Sequence, residues 1–161
     1  MSIRTRVKIC GITSPKDAGL AINAGADAIG LVFYAPSPRY VAIDQACEIA
    51  QSIPAFVTKT ALFVNPTEAY VREVLDSVAI DLIQFHGDET ATFCEQFGKP
   101  YIKAVRMQAT TPLQALAQEF KKSSGLLLDA YVAGTPGGTG EKFNWEWIPK
   151  EFDLPIILAG G

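Results

Sequence analysis

Two ionisable side chains close apolar runs in this sequence. Cys10 ends Val7-Lys8-Ile9-Cys10 just ahead of Gly11, and Asp129 ends Leu126-Leu127-Leu128-Asp129. A carboxylate at the tip of an apolar strand is costly to bury unless it is paired or functional. It can equally cap the turn that follows. Strand alternation puts Lys8 and Cys10 on one face and Val7 and Ile9 on the other. A cation beside a thiol favours the proton-accepting thiolate. Cys10 also fits a small buried filler, and spacing alone favours the filler. Gln84 and His86 flank Phe85 and so share a face. His86 is the only histidine; it suits a general base or, equally, a hydrogen-bonded structural role. Arg39, in Ser37-Pro38-Arg39, has the fork that grips a carboxylate, or it is a solvated surface arginine. Gly160-Gly161 follows an apolar run, where backbone amides bind phosphate or the chain simply turns.

Other chemistries are excluded. Cys10, Cys47 and Cys94 are far apart, with no CxxC pair and no His/Cys cluster, which argues against a zinc site and for a reducing, cytoplasmic compartment. Cys47 and Cys94 fall in helical patterns as core or surface residues, and Trp145 and Trp147 read as loop packing. The segment from Thr135 to Lys142 lacks the GxxxxGK[ST] spacing of a nucleotide-binding P-loop. With 14 cations against 17 acids the net charge is −3 and the pI about 5.1. That balance does not suit a general nucleic-acid or anionic-membrane binder. No apolar stretch is long enough to read as a signal peptide or membrane span.

The elements that must position these residues alternate regularly. Strands are predicted at Arg6–Cys10, Ala28–Phe33, Val57–Val64, Leu82–Phe85, Tyr101–Val105, Gly125–Asp129 and Pro155–Ala159. Helices are predicted at Pro15–Ala24, Asp44–Ser52, Thr67–Ser77, Glu89–Phe97 and Pro112–Lys121, with a short turn near Trp145–Ile148. Pro15, Pro66 and Pro112 fit first helical turns, Asp44 an N-cap, and Gly25 and Gly98 helix stops. Strands alternating with helices imply parallel pairing and right-handed crossovers. The chain of 161 residues is expected to form one domain, 1–161. It is too short for the ~250 residues of a typical eight-unit barrel, and it stops at a strand and a glycine pair. The expectation is an α/β chain of about seven parallel strands, truncated or the ordered part of a longer one. Gly134–Gly140 reads as a mobile active-site loop.

These motifs together resemble the phosphoribosylanthranilate isomerase family, (β/α)8 TIM-barrel enzymes of tryptophan biosynthesis. The matching stretches run in family order. They are Val7–Thr13 (VKICGIT), Gly25–Phe33, Ser37-Pro38-Arg39, Leu62–Asn65, Gln84–Asp88 (QFHGD), Leu128-Asp129, Gly137–Gly140 and Leu158–Gly161. The family pattern continues past the glycine pair with a helix, an eighth strand with a phosphate loop, and a final helix. Without that unit the first and seventh strands would be left as unpaired edges.

The resemblance implies an Amadori rearrangement of N-(5-phosphoribosyl)anthranilate to 1-(2-carboxyphenylamino)-1-deoxyribulose 5-phosphate, with no cofactor and no metal. It implies Cys10 as general base and Asp129 as general acid, starting in opposite protonation states. Arg39 would hold the anthranilate carboxylate, His86 would contact substrate, and the Gly160 and Gly161 amides would bind phosphate. The implied partner is a phosphorylated small molecule, with no nucleic acid or membrane, and the protein a monomer or homodimer in the cytoplasm. Two other readings stay open: a catalytically silent barrel fragment with part of a phosphate site, and a related phosphate-binding barrel enzyme.

Overall fold

The computed structural model describes residues 4–130 and 143–159. The chain divides into two compact units, Met1–Ile83 and Gln84–Gly161. Gly134–Gly140 and the Gly160-Gly161 pair lie outside the described residues.

The first unit runs β1 (Lys8–Cys10), α1 (Pro15–Asn23), β2 (Ala28–Val32), α2 (Ile43–Ser52), β3 (Thr58–Phe63) and α3 (Glu68–Ser77). Its strands pair in parallel, with Cys10 opposite Gly30 and Gly30 opposite Thr60. Each helix begins for a local reason. Ser14 accepts the Asp17 amide at 3.1 Å, with Pro15 in the first turn. Thr67 accepts the Tyr70 amide at 3.3 Å. Pro66 therefore precedes a cap and does not sit in the first turn as predicted. Asp44 is not the N-cap of α2. The helix starts one residue earlier, behind Ala42, and Asp44 lies in its first turn, where a carboxylate complements the helix dipole. Gly25 takes φ +98° just after the end of α1, which only glycine does cheaply. Ile29, Leu31, Val41, Ile49, Ala61, Phe63, Val71 and Val74 are completely buried. Phe63 stacks on Phe33 and meets Tyr70 edge-on. Burying a side chain of this size is worth about 1.5–3 kcal/mol.

β4 (Leu82–Phe85) spans the division between the units. The second unit continues with α4 (Ala91–Glu95), β5 (Tyr101–Met107), α5 (Leu113–Glu119), β6 (Leu126–Ala130), a 3₁₀ turn at Trp145–Trp147 and β7 (Ile156–Leu158). β5, β6 and β7 pair in parallel, with Arg106 opposite Asp129 and Leu128 opposite Leu158. That register carries β5 two residues beyond its predicted end. α4 is shorter than predicted for a clear reason. Thr90 caps it through the Phe93 amide at 3.3 Å, while Glu89 folds back onto the preceding turn. Pro112 is the N-cap residue of α5 and so stands just outside the helix. Phe85, Phe93, Phe97 and Tyr101 form an aromatic cluster with ring centres 5.3–6.0 Å apart. Trp147 stacks on Phe143, but both tryptophans are exposed, Trp145 the more so. Among the described residues no helix is long and apolar enough to cross a membrane.

Candidate active site

In the first unit Cys10 is the last residue of β1 and is half-buried. Its register partner is Gly30. A Cβ at Gly30 would stand 2.7 Å from the Cys10 Sγ, 3.1 Å from its Cα and 3.2 Å from its Cβ. The missing side chain of Gly30 is thus what gives the thiol its place. Immediately after Cys10 the chain turns. Gly11, at φ +86°, and Ile12 both donate their amides to the Gly30 carbonyl, at 2.9 and 3.1 Å.

Arg39 reaches this turn from the loop after β2. Ser37 organises that loop: its amide donates to the Tyr34 carbonyl, its hydroxyl accepts the Arg39 amide, and its carbonyl accepts the Tyr40 amide. The loop returns with Val41 donating to the Val32 carbonyl at 3.0 Å. The aliphatic stem and Nε of Arg39 then lie over Gly11, where a Cβ would collide with them. Two of the predicted site residues, Cys10 and Arg39, are therefore brought to one turn. No carboxylate among the described residues forms an ion pair with Arg39. A guanidinium in that state is suited to an anionic ligand.

In the second unit Gln84, His86 and Asp129 form a hydrogen-bonded chain, 1%, 7% and 5% exposed respectively. Gln84 Nε2 lies 2.8 Å from His86 Nδ1, and His86 Nε2 lies 3.2 Å from Asp129 Oδ2. The other carboxylate oxygen of Asp129 accepts the Ala130 amide at 2.9 Å. With its amide nitrogen toward Nδ1, Gln84 can donate there, an arrangement in which Nδ1 accepts and an Nε2–H donates to Asp129. Register fixes the direction of Asp129. Lys103 lies over the Phe120 ring at the end of α5. Alternation puts Arg106, and with it the paired Asp129, on the opposite face from that helix.

A buried clamp holds the turn that follows His86. Lys103 Nζ donates to the Gly87 carbonyl at 2.6 Å and to the Ala104 carbonyl at 3.1 Å. It also pairs with Glu89 at 3.4 Å, both side chains being almost fully buried. Glu89 in turn accepts the Gly87 amide with both oxygens. This clamp was not anticipated from the sequence. Its signal was a lysine amid the apolar run Tyr101–Val105, which must find partners if buried. A cleft of about 350 Å³ beside it is lined by Asp88, Lys103, Arg106, Glu119 and Phe120 among others; neither His86 nor Asp129 lines it.

The other cysteines behave as fillers. Cys94 is fully buried, and burial, aided by the charge of Glu89, pushes its thiol up to about 12. Cys47 donates to the Ser77 carbonyl at 3.3 Å. No group of three or more His, Cys, Asp or Glu able to hold a metal ion occurs among the described residues.

Strand–helix alternation with parallel pairing, and ionisable side chains at the carboxyl ends of strands, define an α/β protein of parallel β/α units, whose strand ends are the edge where such folds carry active sites. The family model for N-(5'phosphoribosyl)anthranilate (PRA) isomerase matches residues 7–161, and the chain belongs to that family. It is 57% identical over 156 residues to the N-(5'-phosphoribosyl)anthranilate isomerase of Alcanivorax borkumensis, covering 97% of this chain and 72% of that one. It is 54% identical to the Nitrosococcus oceani isomerase, covering 99% and 77%. The crystal structure of phosphoribosyl anthranilate isomerase from Thermotoga maritima superposes with a TM-score of 0.82 at 30% identity, over 98% of this chain and 78% of that one. A phosphoribosyl anthranilate isomerase solved with reduced 1-(o-carboxyphenylamino)-1-deoxyribulose 5-phosphate gives 0.74 at 33% identity, over 80% and 66%. The TIM-barrel type of α/β fold expected from the sequence is the fold of these relatives.

Proposed function

We propose that this chain isomerises N-(5-phosphoribosyl)anthranilate to the 1-deoxyribulose ketone in tryptophan biosynthesis, with Asp129 as general acid and Cys10 as general base. The observation that carries this reading is the match to the isomerase family over residues 7–161, with Cys10 and Asp129 at the carboxyl ends of β1 and β6. Asp129 gives a proton to the furanose ring oxygen. The C1–O bond breaks with its electrons going to oxygen, and the anilino nitrogen donates its lone pair to form a protonated Schiff base. Cys10, as thiolate, takes the proton from C2, and those bonding electrons neutralise the iminium to give an enolamine. The enol proton is lost, C1 gains one, and the ketone results with no net change in composition. The substrate's own nitrogen is the electron sink, so the reaction calls for no cofactor. Arg39 holds the anthranilate carboxylate, and the amides of Gly160 and Gly161 hold the phosphate. Residues 1–161 fall within one (β/α) barrel domain that works in the cytoplasm as a monomer or homodimer.

The test is turnover of phosphoribosylanthranilate, with the ketone followed by chromatography. Cys10→Ala and Asp129→Asn should each lower kcat by about 10²–10⁴-fold, the range of general acid–base contributions, with KM little changed. Cys10→Ser should also be poor, because a hydroxyl is a far weaker base. Turnover at the unsubstituted rate in either Cys10→Ala or Asp129→Asn would overturn the assignment.

A further inference from the structure

Resting on that assignment of the acid, we propose that Gln84 and His86 are positioning residues for Asp129. In this arrangement Gln84 fixes the ring tautomer of His86, and His86 delivers a fixed Nε2–H to the Asp129 carboxylate. The family resemblance implies that His86 contacts substrate. The geometry gives both of its ring nitrogens to protein partners, Gln84 at 2.8 Å and Asp129 at 3.2 Å.

The chemistry follows from where charge develops. When Asp129 passes its proton to the ring oxygen, the C1–O bond breaks and Asp129 is left as a carboxylate. The new negative charge appears between two donors already in place, the His86 Nε2–H on Oδ2 and the Ala130 amide on Oδ1. Hydrogen bonds to a charged acceptor are stronger than those to a neutral one. They therefore tighten as the proton leaves and favour the transition state over the ground state. The donors are preorganised. Gln84 and His86 are on or next to β4, they are almost fully buried, and the Lys103–Glu89 clamp fixes the turn that follows. Gln84 matters because a neutral imidazole has two tautomers, and only the one with Nε2–H can donate to Asp129. An amide nitrogen on Nδ1 selects it.

The test combines kinetics with spectroscopy on the full chain. His86 is the sole histidine, so its ring ¹⁵N signals need no assignment. The expected spectrum shows a protonated Nε2 and a lone-pair-bearing Nδ1. Gln84→Leu should let the other tautomer appear. His86→Leu should lower kcat roughly 10- to 100-fold, somewhat less than loss of an oxyanion donor, with KM within about threefold. His86→Gln, whose amide nitrogen approximates the reach of Nε2, should restore much of the loss. A merely structural histidine would lower thermal stability without this kcat-specific loss and without rescue by glutamine. Wild-type kcat in His86→Leu overturns the proposal, and so does an Nδ1–H tautomer in the unsubstituted protein. The spectrum stands even where a variant fails to fold. The underlying acid assignment fails differently, by full turnover in Asp129→Asn. An inactive Asp129→Asn beside a fully active His86→Leu sinks only the role of His86.

Discussion

Gly30→Ala adds one methyl group in the middle of β2, a change that usually helps a strand. Here it should cripple the reaction. The new carbon would stand 2.7 Å from Cys10 Sγ, about 1 Å inside the roughly 3.5–4.0 Å of an ordinary contact. Turning the thiol away does not relieve it, because the Cys10 Cα and Cβ lie at 3.1 and 3.2 Å. β1 must therefore shift against β2, or Cys10 must leave its position. Overpacking of this kind costs about 1–3 kcal/mol, a fall in Tm of roughly 2–12 °C for a chain of this size. Displacing a reacting group by about 1 Å costs on the order of 10²-fold in rate. The assay is kcat and KM for phosphoribosylanthranilate, with thermal unfolding on the same samples. Gly19→Ala is the control. Gly19 lies within α1 with nothing within 4 Å of its would-be Cβ, and alanine there should stabilise by about 0.5–1 kcal/mol. An unchanged kcat in Gly30→Ala would refute both the packing argument and the role of Cys10.

Three further outcomes follow from the same geometry. Replacing Lys103 by Met keeps the packing on Phe120 but removes the cation from a buried pair; chemical denaturation should show a loss of about 3–5 kcal/mol, and an unchanged stability would contradict the clamp. In a native thiol titration at pH 8, Cys94 should stay silent until the protein is unfolded, since burial holds its thiol up to about 12; three reactive thiols in the native state would contradict this. Hydrogen bonds from Arg4 and the Val7 amide hold the Asp27 carboxyl below its ordinary value. A depressed carboxyl stabilises the fold above its unfolded value and loses that contribution as pH falls through the folded one. The difference in Tm between the unsubstituted protein and Asp27→Asn should thus be level from pH 5 to 7, begin to shrink near pH 4 where the unfolded carboxyl titrates, and be gone only below the lower folded value; a difference that does not shrink in acid would show another cause.

What the sequence made legible was local. Leu82–Phe85 was readable to the residue, because an apolar run sits between Asp81 and His86-Gly87-Asp88. Period two placed Gln84 and His86 on one face, and the hydrogen bond between them bears that out. Where two polar side chains compete for one helix start, the sequence could not arbitrate: Thr90 won the cap of α4 because Glu89 was drawn onto Gly87. Partnerships across strands were not legible. That Gly30 makes room for Cys10 depends on register, as does the link from His86 to Asp129, 43 residues along the chain. The roles of Cys10 and Asp129 came from resemblance to a family; spacing alone favoured a filler cysteine and left Asp129 undecided.

The way Arg39 lies on Gly11 has a consequence for affinity. A free arginine side chain carries about 2 kcal/mol of rotamer entropy, which a ligand must ordinarily help to extinguish. Here the stem from Cγ to Nε rests on a residue with no side chain, at the end of a loop whose Ser37 already fixes the Arg39 amide. Much of that disorder is removed by folding rather than by the arriving anion. The outer end of the guanidinium is left to make the final adjustment, so an anion held there should lose little affinity to ordering of the protein.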